Sequence, residues 1–425
     1  NNLNENPMSS EFEQNLEKYI DVILKIGVNL QKGQRLLIVP YGIGTDLIEI
    51  APFVELITKK AYQMGARFVE VLWNDPQLHL IRIQHAPRDS FEEHAIWRRD
   101  ALLEFAEKGE AVLIIYTADP NLFIDQDPEL MAIVRKTSAK HLKTFADLMW
   151  KPTFNWTFAT APIERWIEIL FPDLSPEKRE SKMWNIIFDI CRVKQKDPVS
   201  AWNDHLDHLN ARKDYLNHKH YTAMKLKAPG TDLTIGLPKA HIWQGGCMKI
   251  QNGISFVPNL PTEEIFTVPH KDKTEGVVVA TKPLHEQVMI EDFILTFSKG
   301  KVVELTAKKG EKMLQKILEI DEGSSRLGEI ALVPHISPIS QSGLLFYNML
   351  IDENASCHIA LGKGITFALE NGVNMSNKEF MATGGNDSLI HVDFMIGSDK
   401  MNIDGITEDG TAEAIMRNGE WAFEV

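Results

Sequence analysis

The run Leu389-Ile390-His391-Val392-Asp393-Phe394-Met395-Ile396-Gly397 sets a histidine and an aspartate two residues apart in an otherwise apolar stretch. Strand alternation sends His391 and Asp393 to one face and Ile390, Val392 and Phe394 to the other. An imidazole and a carboxylate then project side by side from a rigid element, and a buried charge needs a partner or a metal. Other residues of metal-ligand type sit beside strand-like runs: Glu263 and Glu264, Glu329, and His358. Hard carboxylates with imidazoles are the donor mix of a divalent ion doing hydrolysis. More than four such donors suit two ions sharing a bridging carboxylate and a water. Two ions can lower the pKa of that water, polarise a carbonyl and stabilise a tetrahedral intermediate. Each residue also has an ordinary use. A glutamate before a strand is commonly solvated, a lone buried histidine is commonly a core hydrogen-bond partner, and a His–Asp pair serves as a structural bond or a catalytic dyad.

The elements that must position these residues fall into two textures. The first half alternates apolar strands (35–41, 68–73, 111–117, 154–160) with helices, one expected from Thr45 to Met64 and closed by Gly65. Continuous apolar strands separated by helices predict a mostly parallel sheet covered on both faces. Residues 162–216 read as helical, with an interruption at Lys194-Gln195-Lys196-Asp197-Pro198. Beyond His218, short β segments with Gly, Pro and Asn turns take over, with a hairpin signal at Ser298-Lys299-Gly300 and one helix at 311–320. The expected architecture is an α/β N-terminal domain over residues 8–217, followed by an α+β domain over 218–425 with a mixed or antiparallel sheet. The candidate ligands all belong to the second.

Composition narrows the partners. The chain has 425 residues, with 59 acidic against 45 basic side chains and a net charge of −14. That balance disfavours nucleic acid or an anionic membrane, both of which reward clustered Lys and Arg. No apolar run approaches the roughly 20 residues that span a bilayer. Residues 1–10 are polar, unlike a secretory signal peptide, and Met8 is a candidate natural start. Three cysteines far apart (Cys191, Cys247, Cys357) form no disulfide framework and no CxxC site, which fits a reducing cytoplasm.

Competing motifs are thin. Tyr41-Gly42-Ile43-Gly44-Thr45-Asp46-Leu47 imitates a dinucleotide fingerprint and would make the chain a nucleotide-dependent oxidoreductase, but Leu47 stands where the third glycine belongs. His205-Leu206-Asp207-His208 has near-ligand spacing on a charge-rich helix, where a solvated face is the default. Asp352-Glu353-Asn354, just before His358, reads as support for a site or as a turn.

Over nearly its whole length the chain resembles the thermophilic aminopeptidase (M29) family of metalloaminopeptidases. The similarity rests on ordered segments: Gly27-Val28-Asn29-Leu30-Gln31-Lys32-Gly33-Gln34, then 228–237, 258–266, 327–333, 352–362, 391–397 and 404–423. The resemblance implies a C-terminal catalytic domain with two divalent ions, Zn, Co, Mn or Mg. It implies a homodimer and the release of N-terminal residues from short peptides with a free N-terminus. The family's metal ligands fall on Glu263, Glu329, His358, His391 and Asp393. Glu264, beside the first of these, is the candidate general base by its position. One departure stands out: the family has a tyrosine near the metals, seven residues after the histidine matching His358, and this chain has Ile365. An isoleucine neither ligates nor donates a hydrogen bond. The alternative reading is therefore a catalytically weakened relative that binds peptide or metal.

Overall fold

The computed structural model describes residues 7–151, 153–285 and 289–425. They form two compact units, one running through His205 and including Cys247–Thr262, the other made of Leu206–Gly246 and Glu263–Val425. The sequence reading drew one boundary, at 217/218. The structure instead gives the first unit a second segment, tied in where Phe158 N–H donates to Pro258 O at 2.7 Å.

In the first unit, strands β1 (Arg35–Pro40), β2 (Phe68–Val71), β3 (Ala111–Ile115) and β4 (Trp156–Ala159) form a parallel sheet in the order β2-β1-β3-β4. The central β1 and β3 are buried almost throughout, which is why they read as continuous apolar runs. The helix after β1 starts at Ala51, six residues later than expected. Polar side chains hold the intervening residues in turns. Thr45 Oγ1 donates to Tyr41 O at 2.6 Å, and Asp46 Oδ1 accepts the Ile48 and Glu49 N–H groups at 3.0 Å each. Pro52, in the first turn, suits a helix start, where a missing N–H costs nothing. The glycine pair at 42 and 44 thus precedes a turn and opens no helix.

The second unit is built from antiparallel pairs, as the turn-rich sequence predicts. Among the described residues it has a nine-stranded sheet and a smaller five-stranded one. The smaller sheet consists of β5 (Gln244–Gly245), β6 (Ile265–Thr267), β7 (Leu327–Leu332), β8 (His358–Gly362) and β9 (His391–Met395), in the order β9-β8-β7-β6-β5. One face of it supplies Ile265, Ile330, Ile359, Leu361, Val392 and Phe394 to a core shared with Leu226, Leu233, Phe293 and Leu295 of the larger sheet. Phe293 and Phe394 meet across that core with ring centroids 5.2 Å apart. Each such buried side chain contributes about 1.5–3 kcal/mol, so this face anchors the register of the whole sheet. By alternation, everything between those core positions points to the other face.

Candidate metal centre

Register explains which side chains share that other face. Ala360 of β8 is opposite Glu329 of β7 on one side and Asp393 of β9 on the other. His358 lies two residues before Ala360, and His391 pairs with Gly362 at the open end of β9. Glu264 precedes the core residue Ile265 and so takes the opposite face. Glu329 reaches this face through an irregularity. The register shifts between Leu327 and Glu329, so that Leu327 pairs with Leu361 in the core while Glu329, two residues on, pairs with Ala360. In a regular strand the two would share a face; the bulge at Gly328 separates them. A Cβ on Gly328 would lie 2.3 Å from Lys363 O, so only glycine fits there.

The result is two groups of donors around one shared carboxylate. Ligand atoms of Glu264, Glu329 and His358 lie within 4.8 Å of one another, and so do those of Glu329, His391 and Asp393. His358 Nε2 approaches Glu264 Oε2 at 3.1 Å. His391 Nε2 approaches Glu329 Oε2 at 3.1 Å and Asp393 Oδ1 at 3.4 Å. Both imidazoles spend Nδ1 on the backbone, His358 donating to Ser356 O at 3.1 Å and His391 to Lys363 O at 2.8 Å. That fixes the rings with Nε2 turned inward, the arrangement expected of metal-ligating histidines. Glu264, Glu329, His358 and Asp393 are buried, and His391 stands at the mouth with its side chain one-third exposed.

The charges of this cluster are unbalanced. Burial pushes Glu329 up to about 7, with His391 opposing and the charges of Asp393 and Glu264 adding to the rise. Burial works against protonated His358, but the Glu264 carboxylate beside it outweighs that and lifts the imidazole to about 10. His391 is likewise driven well above its ordinary value, by Asp393 and Glu329 against the cost of burial. Asp393 is held below its ordinary range by His391 and His358 despite its burial. Protons on the imidazoles therefore stand in for missing positive charge. Among the described residues Glu264 Oε2 and Asp393 Oδ1 are buried with an imidazole Nε2 as ion-pair partner and no further hydrogen bond. Oxygen and nitrogen donors in two converging sets, whose carboxylates meet only imidazoles that can give up their protons, fit a pair of divalent cations.

Of the residues singled out in the sequence, Glu329, His358, His391 and Asp393 converge, and Glu264 joins them as a donor. Glu263 is buried, but neither donor group includes it; its backbone N–H donates to Asn354 Oδ1 at 2.7 Å. Ile365 packs against an apolar cluster of Val268, Ala368, Leu369 and Phe380. Two further residues lie in the segment just before His358 that reads as support for a site or as a turn. Asn354 holds the backbone of Glu263, and Glu353 lies within electrostatic reach of the donors. Burial first, then the charges of Glu264 and Asp393, push the Glu353 carboxyl well above its ordinary value.

Comparison with known proteins gives this geometry its class. The model of the thermophilic metalloprotease (M29) family matches residues 12–421. Aminopeptidase 2 of Geobacillus stearothermophilus is 44% identical over 98% of this chain and 100% of its own length. Aminopeptidase AmpS of Bacillus subtilis (strain 168) is 43% identical over 97% of this chain and 99% of its own. The solved structure of wild-type AmpT from Thermus thermophilus superposes with a TM-score of 0.91 at 37% identity, covering 97% of this chain and 100% of that one. The fold is that of a metallopeptidase. The chain belongs to the M29 family of thermophilic metalloproteases.

Proposed function

We propose that this metalloprotease is a two-ion aminopeptidase that removes N-terminal residues from short peptides. The observation that carries the reading is the position of Glu329, shared by two donor groups. Glu264, Glu329 and His358 would hold one ion, and Glu329, His391 and Asp393 the other. When bound, the ions supply Lewis acidity and acidify a water for attack on the first peptide carbonyl. The protein contributes a rigid face, dry walls and fixed imidazole tautomers. In this reading the Glu264 carboxylate, suggested by its position as the proton acceptor, serves as a ligand instead. The surplus of carboxylates favours a substrate ammonium at the site, which supports exo- rather than endopeptidase action. The named relatives are aminopeptidases, which supports the same choice.

The ions are of the Zn, Co, Mn or Mg class, since this donor set accepts all of them. Three free cysteines support a reducing cytoplasm, and among the described residues no helix is long and apolar enough to cross a membrane. Family membership supports a homodimer.

The test uses leucine p-nitroanilide and its N-acetylated form, with chelator treatment and metal add-back. Turnover of the free amine only, lost on chelation and restored by metal, is the expected result. Metal-independent turnover or cleavage of the blocked substrate would contradict it. Ion binding with no turnover would favour the weakened relative, whose motive is the apolar packing of Ile365.

A further inference from the structure

We infer that Asp321 is a positioning residue for the His391 half of the site, because its carboxylate ties together the lead-ins of the two strands that carry Glu329, His391 and Asp393. This rests on reading those three residues as an ion site. His391 is the first residue of β9, so no sheet pairing precedes it. Leu389, two residues earlier, is 85% exposed, so burial does not fix it, while Ile390 packs partly buried against the core. Hydrogen bonds supply the rest of the constraint.

Asp321 supplies them from the far side. Its Oδ2 accepts the Leu389 N–H at 2.7 Å, and the Ser388 hydroxyl donates to Oδ1 at 2.8 Å and Oδ2 at 3.1 Å. Ser388 Oγ in turn accepts the Ile390 N–H at 3.2 Å, which carries the constraint to the residue before His391. The same carboxylate accepts the Ser324 N–H and hydroxyl, both at 2.9 Å, capping the 3₁₀ turn Glu322–Ser325. That turn runs directly into β7 and Glu329. On the opposite side, Asn386 Nδ2 donates to Gly323 O at 2.9 Å and Gly362 O at 2.6 Å, while Lys363 N–H donates to Ile390 O at 2.6 Å. Lys363 O is the acceptor that orients the His391 ring. One carboxylate thus sets the spacing of the second donor group, while Glu264 and His358 of the first group hang on strands it does not touch. Groups that orient metal ligands from outside typically alter affinity by about 10–100-fold when removed.

The experiment titrates metal-free protein with cobalt(II), read by calorimetry and by the visible absorption of the bound ion. Wild type, Asp321→Asn, Ser388→Ala and His391→Ala are compared. Asn at 321 presents an amide NH₂ to donors that need an acceptor. Ala at 388 deletes the hydroxyl relay to Ile390 and leaves the Leu389 and Ser324 bonds to Asp321 in place. The wild type should take two ions. In Asp321→Asn the step that His391→Ala abolishes should weaken by about 10–100-fold, with the other step, which shares Glu329, weakened clearly less, and Ser388→Ala should shift the same step less. Two ions bound alike by wild type and both variants would overturn the proposal alone, as would equal weakening of both steps. A wild type that binds no ion dependent on His391 would overturn the proposal together with the reading beneath it.

Discussion

Glu329 and Asp393 stand at one level of the sheet, each directly opposite Ala360 on the strand between them. Two carboxylates that would repel in isolation are held either side of the smallest side chain that still forms a strand. The charge between them is met in this structure by protonated His391.

Space above Ala360 is therefore part of the site. Ala360→Val keeps β propensity but adds two methyl groups where the donors converge. Overpacking of this kind costs about 1–3 kcal/mol, so ion affinity should fall by about 10- to 100-fold while the fold persists. Calorimetric titration beside a thermal melt checks this; unchanged affinity would mean that the ions do not sit over β8.

The neighbouring glutamates should separate cleanly. Glu264→Gln removes a donor from the first group, and activity should drop by on the order of 10²–10³-fold with loss of bound metal. Glu263→Gln keeps the backbone N–H that Asn354 accepts and should cost less than about tenfold. Steady-state kinetics with metal analysis distinguishes them. The reverse order would restore Glu263 as the ligand.

Ion binding should release protons. His358, lifted to about 10, and His391, lifted well above its ordinary value, are both protonated at neutral pH in the ion-free protein. Both must become neutral to ligate. Affinity therefore rises with pH across the neutral range, by up to about tenfold per unit for each proton displaced. Calorimetry in buffers of different ionisation enthalpy measures the protons directly, and a pH-independent affinity would contradict this charge assignment.

A third histidine, outside both donor groups, should contribute to acid stability. His241 is buried, donates from Nδ1 to Pro238 O at 2.8 Å, and has no hydrogen-bond partner for Nε2 among the described residues. Burial lowers it to about 4. Between pH 6.5 and about 4 the unfolded chain binds a proton that the folded chain refuses. Stability is then full above about 6.5 and is lost as pH falls towards 4, by about 3 kcal/mol at most for this group. Urea titrations of wild type and His241→Phe across that window should show a shallower acid limb in the variant. Parallel limbs would assign the loss elsewhere.

Much of this was readable in the residues. The β9 pair followed from alternation because one face is buried against the core, and the parallel and antiparallel halves followed from their different strand and turn textures. Three features were not readable. The bulge that turns Glu329 to the donor face depends on the carbonyl of Lys363, 35 residues downstream, approaching Gly328. That Glu264 faces the other donors depends on Ile265 entering the core, which adjacent positions in an irregular entry strand do not reveal. Asp321 acts across 67 residues of sequence, through a serine that no local pattern marks.

The most direct test of the two-ion site is anomalous scattering from crystals of the metal-loaded protein. The account predicts two peaks per chain, one among Glu264, Glu329 and His358 and one among Glu329, His391 and Asp393, with Glu329 contacting both. A single peak, or an ion held by Glu263 with Glu264 turned away, would contradict it.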